Sequence, residues 1–381
     1  MRSRRSALLI GAIALAASAG AVAAPENAEA AGPQVCSGVT APTVSSVAKD
    51  TGLNSMFTNY GNTGAGWTGA DSTWSARFPD GRDLWMYSDT YLWPITPPTR
   101  PDNAILVNNT FVPQSGSTLS TIYGGTQASP AAVIRPATAG HWYWLGDGTV
   151  LGNQLQVPVL EWEKTGSGAF DIAWVANAVA TFSLSNLTTP TSIDPLPSAA
   201  GIEWGSWVRN DGTYTYVYGV EDLGADKYLH VARVAGTDLR GTWSYWTGSA
   251  WSSSESASAR VLDGVGNEYS VHQLTSQLYM LTTMDTSVAF SAEMVAYFSC
   301  SPTGPFTART TLYNTPESGP LGTYGNGNIY TYNAHAHPEL STSGKVVISY
   351  NVNSLDTTVG GDVYQDVSIY RARFIDVNLS Y

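Results

Sequence analysis

Apolar and polar residues alternate along much of this chain with a period of two, which is typical of half-buried β-strands. The pattern is clear in LWMYSD (84–89), TYTYVYGV (213–220), KYLHVARV (227–234) and SIYRARFI (368–375). Asp-Gly pairs at 80–81 and 211–212 and Ser-Gly at 343–344 separate such runs and suit tight hairpin turns. No long amphipathic helical pattern is present. The sequence therefore predicts an all-β fold.

The strand pattern recurs five times. Each copy contains an apolar strand that closes on a polar residue, namely Asp89, Glu161, Asp222, Asp285 and Asn353. Successive intervals are 72, 61, 63 and 68 residues, and hairpins followed by a third and sometimes a fourth strand fill them. Such a period is typical of a radially repeated β-fold. We predict a five-bladed β-propeller with four-stranded blades, in which the N-terminal segment 39–49 adds the last strand and closes the ring.

The N-terminus reads as an export signal. Residues 1–24 combine a basic start, a short Ala-rich apolar stretch and small residues before a cleavage site, which favours a signal peptide over a membrane anchor. Residues 25–37 form a linker, and residues 38–381 are expected to be a single propeller domain. We therefore predict a secreted, extracellular protein.

Charge narrows the range of partners. The net charge is -12 and only four lysines occur, which argues against nucleic acid and anionic membranes. A polysaccharide substrate is the expected partner, and the protein is expected to be a monomer. Export makes a disulfide between the only two cysteines, Cys36 and Cys300, the favoured prediction over two free thiols.

Carboxylates recur at equivalent places in the copies. Asp71 and Asp89 lie in the copy richest in polar and aromatic neighbours, and we predict that they are the catalytic pair. Paired carboxyl groups suit glycosidic cleavage, because one must donate a proton while the other stays ionised. The alternative for each acid is a structural role in tying off strand ends.

Thirteen tryptophans and 21 tyrosines accompany these acids, a combination that suits a carbohydrate groove. The alternative is that most of these aromatic residues pack between blades. The predicted substrate contacts are Trp67, Trp74, Asn108, Asn109, Asp147, Glu203, Glu221, Glu268, Asp285, His335 and His337. We assign no metal site and no cofactor. The alternative is a calcium ion bound by the carboxylates that would meet at the central axis of the propeller.

Several segments resemble a known group of proteins. GWTGADSTWS, LWMYSDTYLW, LVNNTFV, KYLHVARV, GNEYSVH, YNAHAHPELS and VVISYNVNS are similar to secreted bacterial five-bladed propellers long catalogued as domains of unknown function, which are related to the endo-D-arabinanases of glycoside hydrolase family 183. The resemblance implies cleavage of α-linked D-arabinofuranose chains by aspartates at the positions of Asp71 and Asp89. On this basis Asp89 is taken as the acid and Asp71 as the base.

Three functions are consistent with these features. The first is a glycoside hydrolase that cleaves a furanose polysaccharide, most directly α-D-arabinan of mycobacterial-type cell walls. The second is a non-catalytic carbohydrate-binding propeller, in which the acids only accept hydrogen bonds from sugar hydroxyls. The third is a calcium-dependent propeller of the lactonase or esterase type.

Overall fold

The computed structural model describes residues 32–381. The predicted signal peptide and most of the predicted linker lie outside these residues. The strands are β1 (Gln34–Cys36), β2 (Val39–Thr40), β3 (Thr43–Lys49), β4 (Gly69–Ala70), β5 (Trp74–Arg77), β6 (Asp83–Tyr87), β7 (Thr90–Tyr91), β8 (Leu106–Val107), β9 (Thr110–Ser115), β10 (Thr118–Leu119), β11 (Gly124–Thr126), β12 (Ser129–Ala131), β13 (Trp142–Leu145), β14 (Thr149–Leu151), β15 (Gln154–Lys164), β16 (Ile172–Ser183), β17 (Ser192–Pro195), β18 (Glu203–Asn210), β19 (Tyr214–Asp222), β20 (Lys227–Ala235), β21 (Trp243–Trp246), β22 (Trp251–Ser252), β23 (Leu262–Asp263), β24 (Ser270–Thr275), β25 (Leu278–Met284), β26 (Glu293–Ser299), β27 (Thr307–Asn314), β28 (Ile329–Ala336), β29 (Lys345–Ser354) and β30 (Ala372–Ser380).

Helices are few. They are α1 (Thr51–Asn62), α2 (Asp362–Gln365) and 3-10 turns at Glu255–Ala257, Pro338–Leu340 and Val367–Tyr370. The sequence pattern missed α1, which contains two glycines and little regular amphipathicity. Asp50 caps it by accepting a hydrogen bond from the amide of Leu53 at 2.9 Å. Its Phe57 packs into the core against Trp85 and Phe374, so tertiary contacts stabilise a helix of weak local propensity.

Five antiparallel sheets of four or more strands dominate the chain, which confirms the all-β prediction. In chain order they run β5-β6-β9-β10, β13-β15-β16-β17, β18-β19-β20-β21-β22, β24-β25-β26-β27 and β28-β29-β30-β3, and we call them the first to fifth sheets. Smaller sheets are β1-β2, β4-β7-β8 and β11-β12. Within the described residues none of the sheets closes on itself.

The predicted hairpin turns are present. Gly81, Gly212 and Gly344 adopt φ of 86°, 93° and 76°, the left-handed region that favours glycine in such turns. The strand expected over ILVNNTFV (105–112) is split instead into β8 and β9, because the side chain of Asn109 turns inward and donates hydrogen bonds to the carbonyls of Ile134 and Tyr143.

Neighbouring sheets are joined by hydrogen bonds near their first strands, and the fifth sheet contacts the first. The linking bonds run from Trp74 Nε1 to the Leu145 carbonyl, from the Val208 amide to Asp147 Oδ2, from Ser206 Oγ to the Asn267 carbonyl, from the Ala336 amide to Ser270 Oγ, and from Asn351 Nδ2 to Thr73 Oγ1. The N-terminal strand β3 pairs antiparallel with β30, the last strand of the chain.

Cys36 and Cys300 form the predicted disulfide, with their Cα atoms 6.4 Å apart. The bond fastens β1 to the residue that follows β26 in the fourth sheet and encloses a sequence separation of 264 residues. A cross-link over so long a segment restricts the unfolded chain strongly, which is the main source of disulfide stabilisation in the chain-entropy model.

The double substitution Cys36→Ser with Cys300→Ser should lower the free energy of unfolding by about 2–5 kcal/mol, because the unfolded chain regains conformational entropy. Urea unfolding followed by tryptophan fluorescence measures this difference. The oxidised wild-type protein should lose the same increment when it is reduced. Equal unfolding midpoints for all three forms would contradict a stabilising role.

Candidate active site

A cleft of about 1410 Å³ draws its lining from all five sheets. Its carboxylates are Asp71, Asp89, Glu203, Asp222, Asp226, Asp263, Glu268 and Asp285. Its aromatic residues include Trp74, Trp144, Trp162, Phe170, Phe290, Tyr330, Tyr332 and Tyr370. The predicted combination of acidic and aromatic side chains is therefore assembled in one concave surface.

A break in the first hairpin places Asp71 and Asp89 together. Strand β4 pairs with β7 and β5 pairs with β6, and the aspartates lie in the irregular segments between these pairings. The Asp71 amide donates to the Asp89 carbonyl at 3.2 Å, and the Ser88 amide donates to the Asp71 carbonyl at 3.3 Å. Both aspartates line the cleft at this break.

The backbone beside Asp71 is strained. Ser72 and Thr73 have φ of 67° and 73°, a region that is unfavourable for any residue with a Cβ and especially for a β-branched one. Phe290 and Asn333, which also line the cleft, have φ of 56° and 55°. Strain of this kind persists only where surrounding contacts enforce it, and it is concentrated at functional sites.

Tyrosine hydroxyls hold one oxygen of Asp71. Oδ2 accepts hydrogen bonds from Tyr332 at 3.0 Å and Tyr370 at 3.1 Å, whereas Oδ1 is buried with no protein partner. Burial and the negative charge of Asp89 raise the pKa of Asp71 to about 7, although the two tyrosines oppose the shift. Asp71 can therefore exchange a proton near neutral pH.

Asp89 has a different environment. Its Oδ1 accepts hydrogen bonds from Asn108 Nδ2 at 3.0 Å and Trp144 Nε1 at 2.9 Å. Burial raises the pKa of Asp89 above its ordinary value, while these two donors and the charge of Lys164 act in the opposite direction. Nearby charge therefore acts in opposite directions on the two pKa values, since Asp89 raises that of Asp71 and Lys164 opposes the raised value of Asp89, which suits an acid–base pair.

A second carboxyl pair lies elsewhere on the cleft wall. Burial and the charge of Asp222 raise the pKa of Glu203 to about 7. Burial would also raise the pKa of Asp222, but hydrogen bonds from Lys227 and Asn267 outweigh it and leave the pKa below its ordinary value. Asp222 accepts from Asn267 Nδ2 at 2.7 Å. Its hydrogen-bond partners keep Asp222 ionised, whereas Glu203 can bind or release a proton near neutral pH.

The family model for a domain of unknown function, DUF5005, matches residues 54–379 of this sequence. The match covers most of the chain, including the whole hairpin with both aspartates. The chain belongs to the DUF5005 family. No curated protein is significantly similar to this DUF5005 chain.

One solved structure shares the fold at low sequence identity, and others are similar to the chain at lower TM-scores. A provisionally assigned hydrolase from Bacteroides ovatus is 22% identical with a TM-score of 0.71, over 87% of this chain and 90% of that one. An α-L-arabinofuranosidase from Podospora anserina, in complex with cellotriose, is 12% identical with a TM-score of 0.49, over 84% and 93%. A GH43_1 enzyme from Xanthomonas citri is 14% identical with a TM-score of 0.45, over 82% and 88%.

Six of the predicted site residues of this DUF5005 domain line the cleft. They are Asp71, Asp89, Trp74, Glu203, Glu268 and Asp285. Asn108 contributes indirectly through its hydrogen bond to Asp89. Trp74 also packs its ring on the buried imidazole of His335, with centroids 4.1 Å apart.

The other six predicted contacts lie outside the cleft lining. Trp67 is 1% exposed and packs edge-on against Phe57. Asn109 is occupied by the backbone carbonyls that split β8 from β9. Asp147 is buried, and its Oδ2 accepts the Val208 amide that joins the second and third sheets. These three residues contact other parts of the protein, and their contact with a substrate stays a prediction.

Glu221 and the two histidines are likewise engaged elsewhere. Glu221 forms an ion pair with Arg260 at 2.6 Å. His335 and His337 are both buried, and His337 bonds Ser349 Oγ through Nε2 at 2.9 Å. These three side chains lie outside the cleft lining, and their contact with a sugar stays a prediction.

The sequence pattern did not single out Tyr332 and Tyr370, the donors to Asp71. Tyr332 follows the alternation of YTYNAHA in β28 and could have been placed on the same face as Tyr330. Tyr370 lies in the alternating run SIYRARFI, which predicted a strand, but it closes a 3-10 turn instead. The hydroxyl of Tyr332 also accepts a hydrogen bond from Asn353 Nδ2 at 3.2 Å, so a residue chosen as a strand end takes part in this network.

Residues 32–381 contain neither a candidate metal cluster nor a candidate membrane-spanning helix. No group of three or more His, Cys, Asp or Glu side chains in that range is arranged to hold a metal ion, and the calcium alternative has no identified site there. No helix in the same range is long and apolar enough to cross a membrane.

The raised pKa of Asp71 implies a pH-dependent cost to stability. Between its unfolded value of 3.8 and about 7, the folded protein binds a proton that the unfolded chain releases, so stability falls as pH rises through this window. Asp71→Asn should remove this cost. The free energy of unfolding of the variant relative to wild type should increase by up to about 4 kcal/mol between pH 4 and pH 8.

Urea unfolding at both pH values tests this expectation. Asp80→Asn is the control, since Asp80 lies on an exposed turn beside Arg82 and has a pKa below its ordinary value. The control should show no such increase. A difference between Asp71→Asn and wild type that is independent of pH would show that Asp71 is not titrating in this window.

Proposed function

We propose that this protein is an exported glycoside hydrolase that cleaves a furanose polysaccharide, most directly α-D-arabinan, with Asp71 and Asp89 as its acid–base pair. The observation that carries the proposal is the broken first hairpin, which directs two buried carboxyl groups of unequal proton affinity into one cleft. Glycosidic cleavage needs one carboxyl group to protonate the leaving oxygen and another to activate water or attack carbon.

We assign the acid role to Asp71 and the base or nucleophile role to Asp89, the reverse of the expectation from the resemblance. Asp71 has the pKa raised to about 7, so it can enter the reaction protonated at neutral pH. The charge of Lys164 favours the ionised form of Asp89, whereas the charge of Asp89 disfavours the ionised form of Asp71.

A carbohydrate substrate fits the chemistry of the cleft. Sugar hydroxyls seek carboxylate and amide groups, while the C–H faces of the rings pack on aromatic side chains. The two kinds of group meet at Trp144, whose indole ring packs against Trp162 while its Nε1 donates a hydrogen bond to the carboxylate of Asp89. The choice of arabinan rests on the resemblance of segments such as GWTGADSTWS and LWMYSDTYLW to the relatives of family 183.

We interpret the architecture as a five-bladed propeller closed by β3. Five sheets of four or more strands, hydrogen bonds between successive sheets and from the fifth to the first, and the pairing of β3 with β30 support this interpretation. Export is proposed from residues 1–24 and agrees with the disulfide between Cys36 and Cys300. A monomeric state is also proposed.

Asp71→Asn and Asp89→Asn should each lower kcat/KM on mycobacterial-type arabinan by at least about 100-fold, because each removes a group that transfers a proton or attacks in the transition state. Release of oligosaccharides, separated by size, measures the activity, and circular dichroism checks the fold. The control Asp80→Asn should keep wild-type activity. Binding of arabinan without release of oligosaccharide by the wild-type protein would favour the carbohydrate-binding alternative.

The pH dependence of kcat/KM separates the two role assignments. With Asp71 as the acid, activity should fall as pH rises through about 7, because the required proton is lost. Tyr370→Phe removes a donor that lowers the pKa of Asp71, so the falling limb should move to higher pH. Activity that instead rises through this range would make Asp71 the base.

A further inference from the structure

Glu268 is a third carboxyl group beside Asp71. It precedes β24 and lines the cleft, and its Oε1 accepts a hydrogen bond from Ser72 Oγ at 2.6 Å. Its Oε2 is buried and has no hydrogen-bond partner in the protein. Nδ1 of His335 lies 3.9 Å from that oxygen.

The tautomer of His335 follows from its other nitrogen. Nε2 lies 3.0 Å from the carbonyl oxygen of Thr73, and a carbonyl can only accept, so Nε2 carries the hydrogen. In the neutral ring Nδ1 is then a lone pair, and it too has no hydrogen-bond partner. Stacking on Trp74, with an interplanar angle of 16°, fixes the ring in this orientation.

An ionised Glu268 would place two lone pairs against each other in a buried space. At 3.9 Å the contact is longer than a hydrogen bond, but a proton on Oε2 replaces two facing lone pairs with a donor turned toward an acceptor. Burial and the charge of Asp71 raise the pKa of Glu268 well above its ordinary value, whereas burial lowers the pKa of His335 to about 4. A neutral acid beside a neutral imidazole is therefore favoured over an ion pair.

We propose that Glu268 is a positioning residue that works in its protonated form, and that together with His335 it holds the strained Ser72–Thr73 segment that fixes Asp71. Glu268 holds the side chain of Ser72 and His335 holds the carbonyl of Thr73, so both residues with positive φ are restrained from the fourth and fifth sheets. The catalytic consequence rests on the proposed function.

The charges around Glu268 agree with a neutral group. Glu268 interacts with Asp71 and lies 3.9 Å from His335, and Asp71 in turn interacts with Asp89. The other titratable neighbours of Asp71 are the hydroxyls of Tyr330, Tyr332 and Tyr370. A protonated Glu268 adds no third negative charge, so Asp71 titrates against Asp89.

The matched variants Glu268→Gln and Glu268→Ala test the proposal. Glutamine can accept from Ser72 with its oxygen and turn its amide N–H toward the lone pair of His335 Nδ1, as a protonated glutamate would. It should keep kcat within about threefold of wild type and leave the falling pH limb in place. Alanine loses both contacts and should lower kcat by about 10- to 100-fold with little change in KM, since misplacing a reacting group by ~1 Å can cost on the order of 10²-fold.

A loss in Glu268→Gln as large as that in Glu268→Ala would overturn the proposal, because it would show that the anion is required. Circular dichroism confirms that both variants are folded. Glu163→Gln, at a half-exposed carboxylate outside the cleft lining, serves as the control for substitution of an acid by its amide.

A second measurement needs no substrate. The sequence has five histidines, so ¹⁵N-histidine labelling can resolve the His335 ring. Between pH 5.5 and 8 its Nδ1 should stay unprotonated and its Nε2 protonated, in wild type and in Glu268→Gln alike. An imidazolium signal in wild type that disappears in Glu268→Gln would show an ion pair and overturn the proposal. If His335 gives the expected ¹⁵N signals but the protein does not hydrolyse arabinan, the proposed function fails and the proposal for Glu268 stands.

Discussion

Thr73 is held from two sides by the fifth sheet, and the geometry of the cleft depends on this restraint. Its carbonyl accepts from His335 and its hydroxyl from Asn351, while the adjacent Trp74 donates to the Leu145 carbonyl of the second sheet. These bonds keep a β-branched residue at a positive φ that it would not adopt alone. The hairpin is therefore broken where Asp71 and Asp89 stand, and both carboxyl groups face the cleft instead of following the alternation of a regular strand.

Burial that hydrogen bonds offset only in part then raises the pKa of several carboxyl groups in the cleft. Asp71, Glu203 and Glu268 all have a raised pKa with burial as the largest cause. Asp222 shows the contrast, because Lys227 and Asn267 satisfy it and its pKa falls. A folded protein gains no stability from an incompletely paired buried acid, so such groups are usually retained for function.

Local sequence pattern predicted the elements that local physics controls. The recurrence of strands that end on a polar residue located the second strands of all five sheets, and Asp-Gly and Ser-Gly pairs located turns whose glycines have positive φ. The single pair of cysteines predicted the disulfide. The pattern failed for α1, which is stabilised by the packing of Phe57 on Trp85 and Phe374, and for β8–β9, where the inward turn of Asn109 interrupts the expected strand.

The sequence by itself determined the all-β class, the fivefold recurrence and the two aspartates that stand first among the acids, because strand period, turn chemistry and repeated spacing are written in neighbouring residues. Only the tertiary structure decided which acids line the cleft and which accept hydrogen bonds from the backbone instead, as Asp147 does from the Val208 amide. It also decided the proton affinities, since burial and partners such as Tyr332 and Tyr370 come from residues about 260 to 300 positions away in the chain. Proton affinity depends on the solvent and charge around a group in space, and no local pattern encodes these.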